Sequence, residues 1–195
     1  MSAASSPALA CRRRDNVCQF FQKYFLCFFV YSFFGWCYEV FLEVVVYRWG
    51  FSNRGVLFGP YCPVYGVGAL LFLLLFYRLV RGKPWKRRLA LLPVLFVGCA
   101  ASATLVELGA SYLCEWLTGA WPWQTYVHYP WNFQGRIALS PSIRFGLGGL
   151  LFLYGLQPLL DRGFAALSPT VRGRLAVLLA LVMLCDLAVF LTRTL

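Results

Sequence analysis

Residues 35–66 read GWCYEVFLEVVVYRWGFSNRGVLFGPYCPVYG. The stretch begins inside an apolar run and places two carboxylates there, Glu39 and Glu43. It then leaves the run through Asn53-Arg54-Gly55 and Gly59-Pro60 and turns back at Pro63-Val64-Tyr65-Gly66. Charge inside a membrane-length helix is expensive and marks a functional site by default. Glu39 and Glu43 stand four residues apart and so share one helix face. Ser32 and Gly35 extend that face inward as a small, polar stripe suited to helix contact.

The rest of the composition agrees with a membrane protein. Of 195 residues, 61% are hydrophobic and 13% charged, which leaves too little polar surface for a soluble domain. Apolar runs predict an all-α bundle of five transmembrane helices at 25–46, 63–79, 89–117, 145–160 and 175–191. Residues 1–17 are expected as a disordered cytoplasmic tail, and 18–195 as a single membrane domain. The first run is too long for a cleavable signal and reads as an anchor. At its length the third run should tilt or protrude. Its segment 98–103, GCAASA, is small enough to let helices approach closely.

Lysine and arginine set the orientation. Four precede or open the first span, six lie between Arg78 and Arg88, and three more are Arg162, Arg172 and Arg174. The alternate segments hold Arg48, Arg54, Arg136, Arg144 and Arg193. The N terminus is therefore expected in the cytoplasm, with both Asn/Arg/Gly loops outside. In this setting a net charge of +11 reads as topogenic and lipid-facing charge rather than nucleic-acid binding.

A second block runs from Glu107 to Glu115 (ELGASYLCE), passes Trp123, and ends in Asn132-Phe133-Gln134-Gly135-Arg136-Ile137-Ala138-Leu139-Ser140. Together, GWxxE, NRGxLxGPxCPxYGxGA and this block resemble the bacterial family of ABC-transporter type IV, or CmpB-like, permeases, over roughly 31–150. The chain departs from that family's usual Asp-Tyr pair at Gln124-Thr125-Tyr126. The resemblance implies a membrane permease component and a separate ATPase subunit.

Glu107, Ser111 and Glu115 line one stripe of the third span. Facing Glu39 and Glu43, they would place four carboxylates in one outward cavity, with Arg54, Arg136 and Arg144 to neutralise them. The substrate-binding set is then Glu39, Glu43, Asn53, Arg54, Glu107, Glu115, Asn132 and Arg136. Such a site suits a proton, a cation or a cationic substrate. Alternatively, Glu39 or Glu107 serves as acid/base in an enzyme acting on an outer-leaflet lipid, with Arg54 or Arg136 as phosphate clamp. A non-catalytic structural or sensing subunit is the third reading, in which each arginine simply pairs with a glutamate. The two Asn/Arg/Gly turns are expected to need glycine's backbone freedom. Asp186 is a further intramembrane acid, with Arg193 two turns on as its expected partner.

The eight cysteines show no CxxC spacing and read as small hydrophobes. His128 is alone in its loop, so no metal and no cofactor are expected. No Gly-rich loop ending in Lys-Ser/Thr is present, so ATP hydrolysis is not this chain's own work. The short arginine-rich loops argue against docking of the ATPase that the family name implies. Partners are then the lipid bilayer, with a homo-oligomer left open.

Overall fold

The computed structural model describes residues 7–53 and 55–194, which form a helical bundle with one two-stranded hairpin. Five helices are long and apolar enough to cross a membrane: Cys18–Val46, Pro63–Val80, Leu92–Thr118, Leu139–Ala166 and Pro169–Arg193. They are numbered here as spans one to five. Span two has 18 residues, and the other four have 25 to 29. The hydrocarbon core needs about 20, so those four tilt or protrude. Their outward faces expose Phe, Leu and Val.

Three boundaries differ from expectation. Span one continues back to Pro7, where a disordered tail was expected; proline suits a first helical turn and nothing after it breaks the helix. The first six residues lie outside the described residues. Span four begins at Leu139 rather than at 145, because Pro141 sits in its first turn without interrupting it. It then runs through the expected loop to Ala166. Pro169 restarts the chain as span five, leaving only 167–168 between them.

The bundle closes over a core of Cys27, Tyr31, Phe72, Leu95, Cys99, Phe152 and Leu153. Small residues decide which helices meet. Span three packs most extensively on span four, and span one on span two. Gly149 on span four abuts the Cys99 side chain, inside the GCAASA segment. Gly66 on span two lies over Ser32 and Phe28, and Gly35 on span one lies under the Tyr65 ring. The stripe read from residues 32–39 is thus a helix contact, and Ser32 is fully buried in it.

Spans one, two and four each contain a π-helical turn, at Leu42–Val46, Leu73–Tyr77 and Phe152–Leu156. Such turns shift the side-chain register by one residue and frequently mark functional positions. Here the first carries Glu43, the second ends on Tyr77, and the third directly precedes Gln157.

A Cβ at position 149 has no room, whereas at 148 it meets open space. Gly149→Val should lower stability in detergent unfolding by about 2 kcal/mol, and Gly148→Val should leave it unchanged. Equal effects at the two positions would contradict the packing.

Candidate functional site

Six of the chain's acids sit in its membrane spans, and each of these six is met by a donor from another element. Glu39 on span one accepts the Tyr65 hydroxyl of span two. Glu43 takes the backbone N–H of Ser52 at 3.2 Å and its hydroxyl at 2.7 Å. Glu107 Oε1 accepts the Tyr126 hydroxyl at 2.9 Å. Glu115 pairs with Arg136. The four carboxylates expected in one cavity therefore divide: Glu39 and Glu107 lie within electrostatic reach of each other, while Glu43 and Glu115 each fasten a loop.

The Glu39–Glu107 pair is the centre of the outer half. Glu107 is 6% exposed, and its second oxygen, Oε2, has no hydrogen-bond partner. It is the one buried carboxylate oxygen among the described residues in that state. Glu39 lies within electrostatic reach of it, as does Arg144. Arg144 donates to the Tyr47 hydroxyl at 3.3 Å and the Ser140 hydroxyl at 3.4 Å, not to a carboxylate. Glu39 and Arg144 therefore act on Glu107 in opposite directions. Burial, then the Glu107 carboxylate, push the Tyr126 phenol above its ordinary value. Tyr126 therefore stays protonated and donates to Glu107 throughout the physiological range.

What holds Tyr126 there is the loop that contains it. Residues 124–128 form one 3₁₀ turn, followed by the hairpin of β1 (Asn132–Phe133) and β2 (Ile137–Ala138). Gln134 and Gly135 both take left-handed angles, φ 53° and 65°, as the mirror-image hairpin turn requires. That turn delivers Arg136 between two aromatic rings, 4.2 Å from the Tyr112 centroid and 4.1 Å from that of Trp121. Its Nη1 also donates to Ser111, and its carbonyl accepts the Trp123 indole N–H. Arg136 is 7% exposed and occupied on every side. It clamps the aromatic loop onto span three.

The asparagines do comparable work. Asn53 accepts the Trp36 indole N–H at 2.8 Å and donates to the carbonyls of Leu57 and Phe58. Asn132 accepts the Gly135 N–H and donates to the Tyr129 carbonyl, both at 2.9 Å. Each side chain closes its own turn. Gly55 takes φ 132°, the angle expected of the Asn-Arg-Gly turn. Arg54 itself lies outside the described residues. Asp186 does not meet Arg193: it accepts the N–H groups of Phe58 and Gly59 at 3.1 and 2.8 Å and the Tyr61 hydroxyl. Arg193 instead lies over the Phe58 ring, 5.1 Å from its centroid. Backbone donors in the loop outcompete a lone terminal cation for that carboxylate.

Sequence reasoning expected all candidate polar groups at one end. The structure adds a second set at the other. Asp161 on span four meets Lys23 Nζ at 2.7 Å, the Tyr77 hydroxyl at 2.8 Å and the Gln157 amide at 3.0 Å. Gln157 is fully buried and accepts the Tyr31 hydroxyl at 3.1 Å. Three spans contribute, so no local motif announces the set. Among the described residues, no three His, Cys, Asp or Glu side chains gather as a metal-holding group.

A family model described as putative ABC-transporter type IV matches residues 26–191. No curated protein and no solved structure matches the chain.

Removing the clamp should loosen the loop without touching the acid pair directly. Arg136→Ala is expected to cost about 2 kcal/mol in stability, from two lost cation–π contacts and an unpaired Glu115. Glu115→Gln should cost far less, because Glu115 is partly exposed. Protease nicking of residues 119–131 reads the loop; a loop equally resistant in Arg136→Ala would contradict the clamp.

Proposed function

The chain belongs to the putative ABC-transporter type IV family, and from that premise we propose that the Glu39–Glu107 pair is its transport site, binding one proton or one monovalent cation. The observation that carries the reading is Glu107 Oε2, a buried carboxylate oxygen without a donor. An intramembrane carboxylate left half-satisfied needs a cation to make its burial tolerable. Of the charged groups within electrostatic reach, Glu39 and Arg144 oppose each other at Glu107, so one proton or one monovalent cation would balance the remaining acid. A divalent metal would need more carboxylate or imidazole ligands than these two acids supply.

Polar groups at both ends support transport over catalysis at one face. The outer pair and the Asp161 set are separated by an apolar and aromatic layer of Tyr31, Phe72, Leu95, Phe152 and Leu153. Of the two phosphate clamps expected for an enzyme acting on outer-leaflet lipid, Arg136 is committed to Glu115, Tyr112 and Trp121, and Arg54 lies outside the described residues. In this reading the acid pair opens outward, and the N terminus and the arginine-rich loops lie in the cytoplasm. Those connections are residues 81–91, which include the six-residue helix Trp85–Ala90, and residues 167–168, too short to form a docking arm that reaches far beyond the membrane. The proposed movement is therefore driven by the ion's own gradient.

Reconstituted liposomes holding a pH-sensitive dye, with an imposed membrane potential, test this. The intact protein should pass protons or, if proton flux is absent, a monovalent cation such as Na⁺ read by a sodium dye. Glu107→Gln and Glu39→Gln should cut the flux at least tenfold, about 1.4 kcal/mol or more per site, while Glu115→Gln retains it. Flux that matches empty liposomes for both ions, or survives in the two Gln variants, would contradict the proposal.

A further inference from the structure

At the end of the bundle away from the acid pair, spans one, two and four leave a cleft of ≈ 260 Å³. Its walls are Lys23, Tyr24, Leu73, Leu74, Tyr77, Arg78, Arg81 and Gln157. We propose that this cleft binds a phosphate-bearing anion, held by Arg78, Arg81 and Lys23, in the form of an anionic phospholipid headgroup.

Three cations face the space, and the one carboxylate behind it, Asp161, is already occupied. Its oxygens take Lys23, Tyr77 and Gln157, at 2.7, 2.8 and 3.0 Å. Asp161 therefore orders the floor instead of repelling a ligand. It holds the Lys23 ammonium in place and leaves that group's other protons available, since an ammonium has three donors. Gln157, 0% exposed, is locked between Tyr31 and Asp161, so the floor is rigid. Arg81 leans over the Tyr77 ring, 6.0 Å from its centroid, which keeps its guanidinium at the rim. Neither Arg78 nor Arg81 has a carboxylate partner among the described ion pairs. Guanidinium groups bind phosphate oxygens through parallel hydrogen bonds.

Two features favour a lipid as the source of the phosphate. The cleft is below the roughly 300–1,000 Å³ of sites that enclose whole small molecules, so it holds a headgroup and leaves the remainder of a ligand outside. Directly beside it, Leu74, Leu75 and Leu79 are exposed on the lipid face of span two, a surface for acyl chains. The π-helical turn Leu73–Tyr77 lines the cleft through Leu73, Leu74 and Tyr77, and the turn Phe152–Leu156 directly precedes Gln157 in its wall. By displacing the register at Tyr77 and Gln157, they open space between otherwise close-packed helices. This site does not depend on the acid pair and belongs to the leaflet at the arginine-rich end.

Native mass spectrometry of the full chain in detergent, with phosphatidylglycerol, phosphatidylcholine or inorganic phosphate added, tests it. The intact protein should retain one phosphatidylglycerol and at least tenfold less phosphatidylcholine. Arg78→Gln/Arg81→Gln should lose at least tenfold of that retention, and Arg162→Gln/Arg174→Gln, with the same charge change at the same end, should keep it. These arginines are exposed, so the variants should fold, which circular dichroism checks. Excess inorganic phosphate that fails to displace the lipid supports the headgroup source; phosphate that binds alone and displaces it supports a free-phosphate site of the same chemistry. Equal retention of phosphatidylcholine, or equal losses in the two double variants, would overturn the proposal.

Discussion

A carboxylate inside hydrocarbon must find donors, and this bundle is arranged around that requirement. Six of the seven acids, all but Asp15, lie in membrane spans, and each of the six is met by a donor from another element. Glu39 joins span one to span two, Glu43 binds the loop after it, and Asp186 of span five grips the same loop from the other side. Glu107 and Glu115 draw down the aromatic loop through Tyr126 and Arg136. Asp161 ties spans one, two and four together. The acids serve as staples, and helix packing through Gly66, Gly35 and Gly149 sets the distances at which they reach. Against that pattern Glu107 stands apart, with one oxygen fully stapled and the other bare.

Much of this was legible in the sequence. Apolar run lengths found all five spans, since hydrocarbon thickness leaves little freedom. Glu39 and Glu107 stood out as candidates because membrane carboxylates are costly, and the Ser32–Gly35 stripe and GCAASA were read as helix contacts because close approach needs small residues. The family was readable from GWxxE and the NRG block, and the family match over residues 26–191 agrees. What escaped was the partner of each charge. Asn53 and Asn132 look like ligands in sequence, yet both bind their own backbone. Asp186 was assigned to the cation two turns away, while backbone donors from a loop more than a hundred residues earlier hold it. Lys23, Tyr77, Gln157 and Asp161 come from three spans, and counting Lys and Arg at that end hid the acid among them. Periodicity reports which face a residue takes, not what a distant segment brings to it.

These placements bear on mechanism. A bundle with polar groups only at one end suits chemistry on one leaflet. This one has an acid pair near one end, a basic cleft at the other, and an aromatic and apolar layer between. Passage from one to the other requires Tyr31, Phe72 and Phe152 to rearrange, and Tyr31 is bonded directly to Gln157 of the far set.

The central claim is that Glu107 alone among the described acids keeps a buried oxygen without a donor, and that this oxygen takes up the proton or cation. A hydrophobic carbodiimide partitions into membranes and modifies carboxyl groups that take up a proton there, and peptide mass spectrometry locates the adduct. Labelling of the intact protein in lipid should place the adduct on Glu107, alone or with its neighbour Glu39, and leave Glu115, Asp161 and Asp186 unmodified. Modification spread over those three acids, or absent from Glu107, would contradict the account.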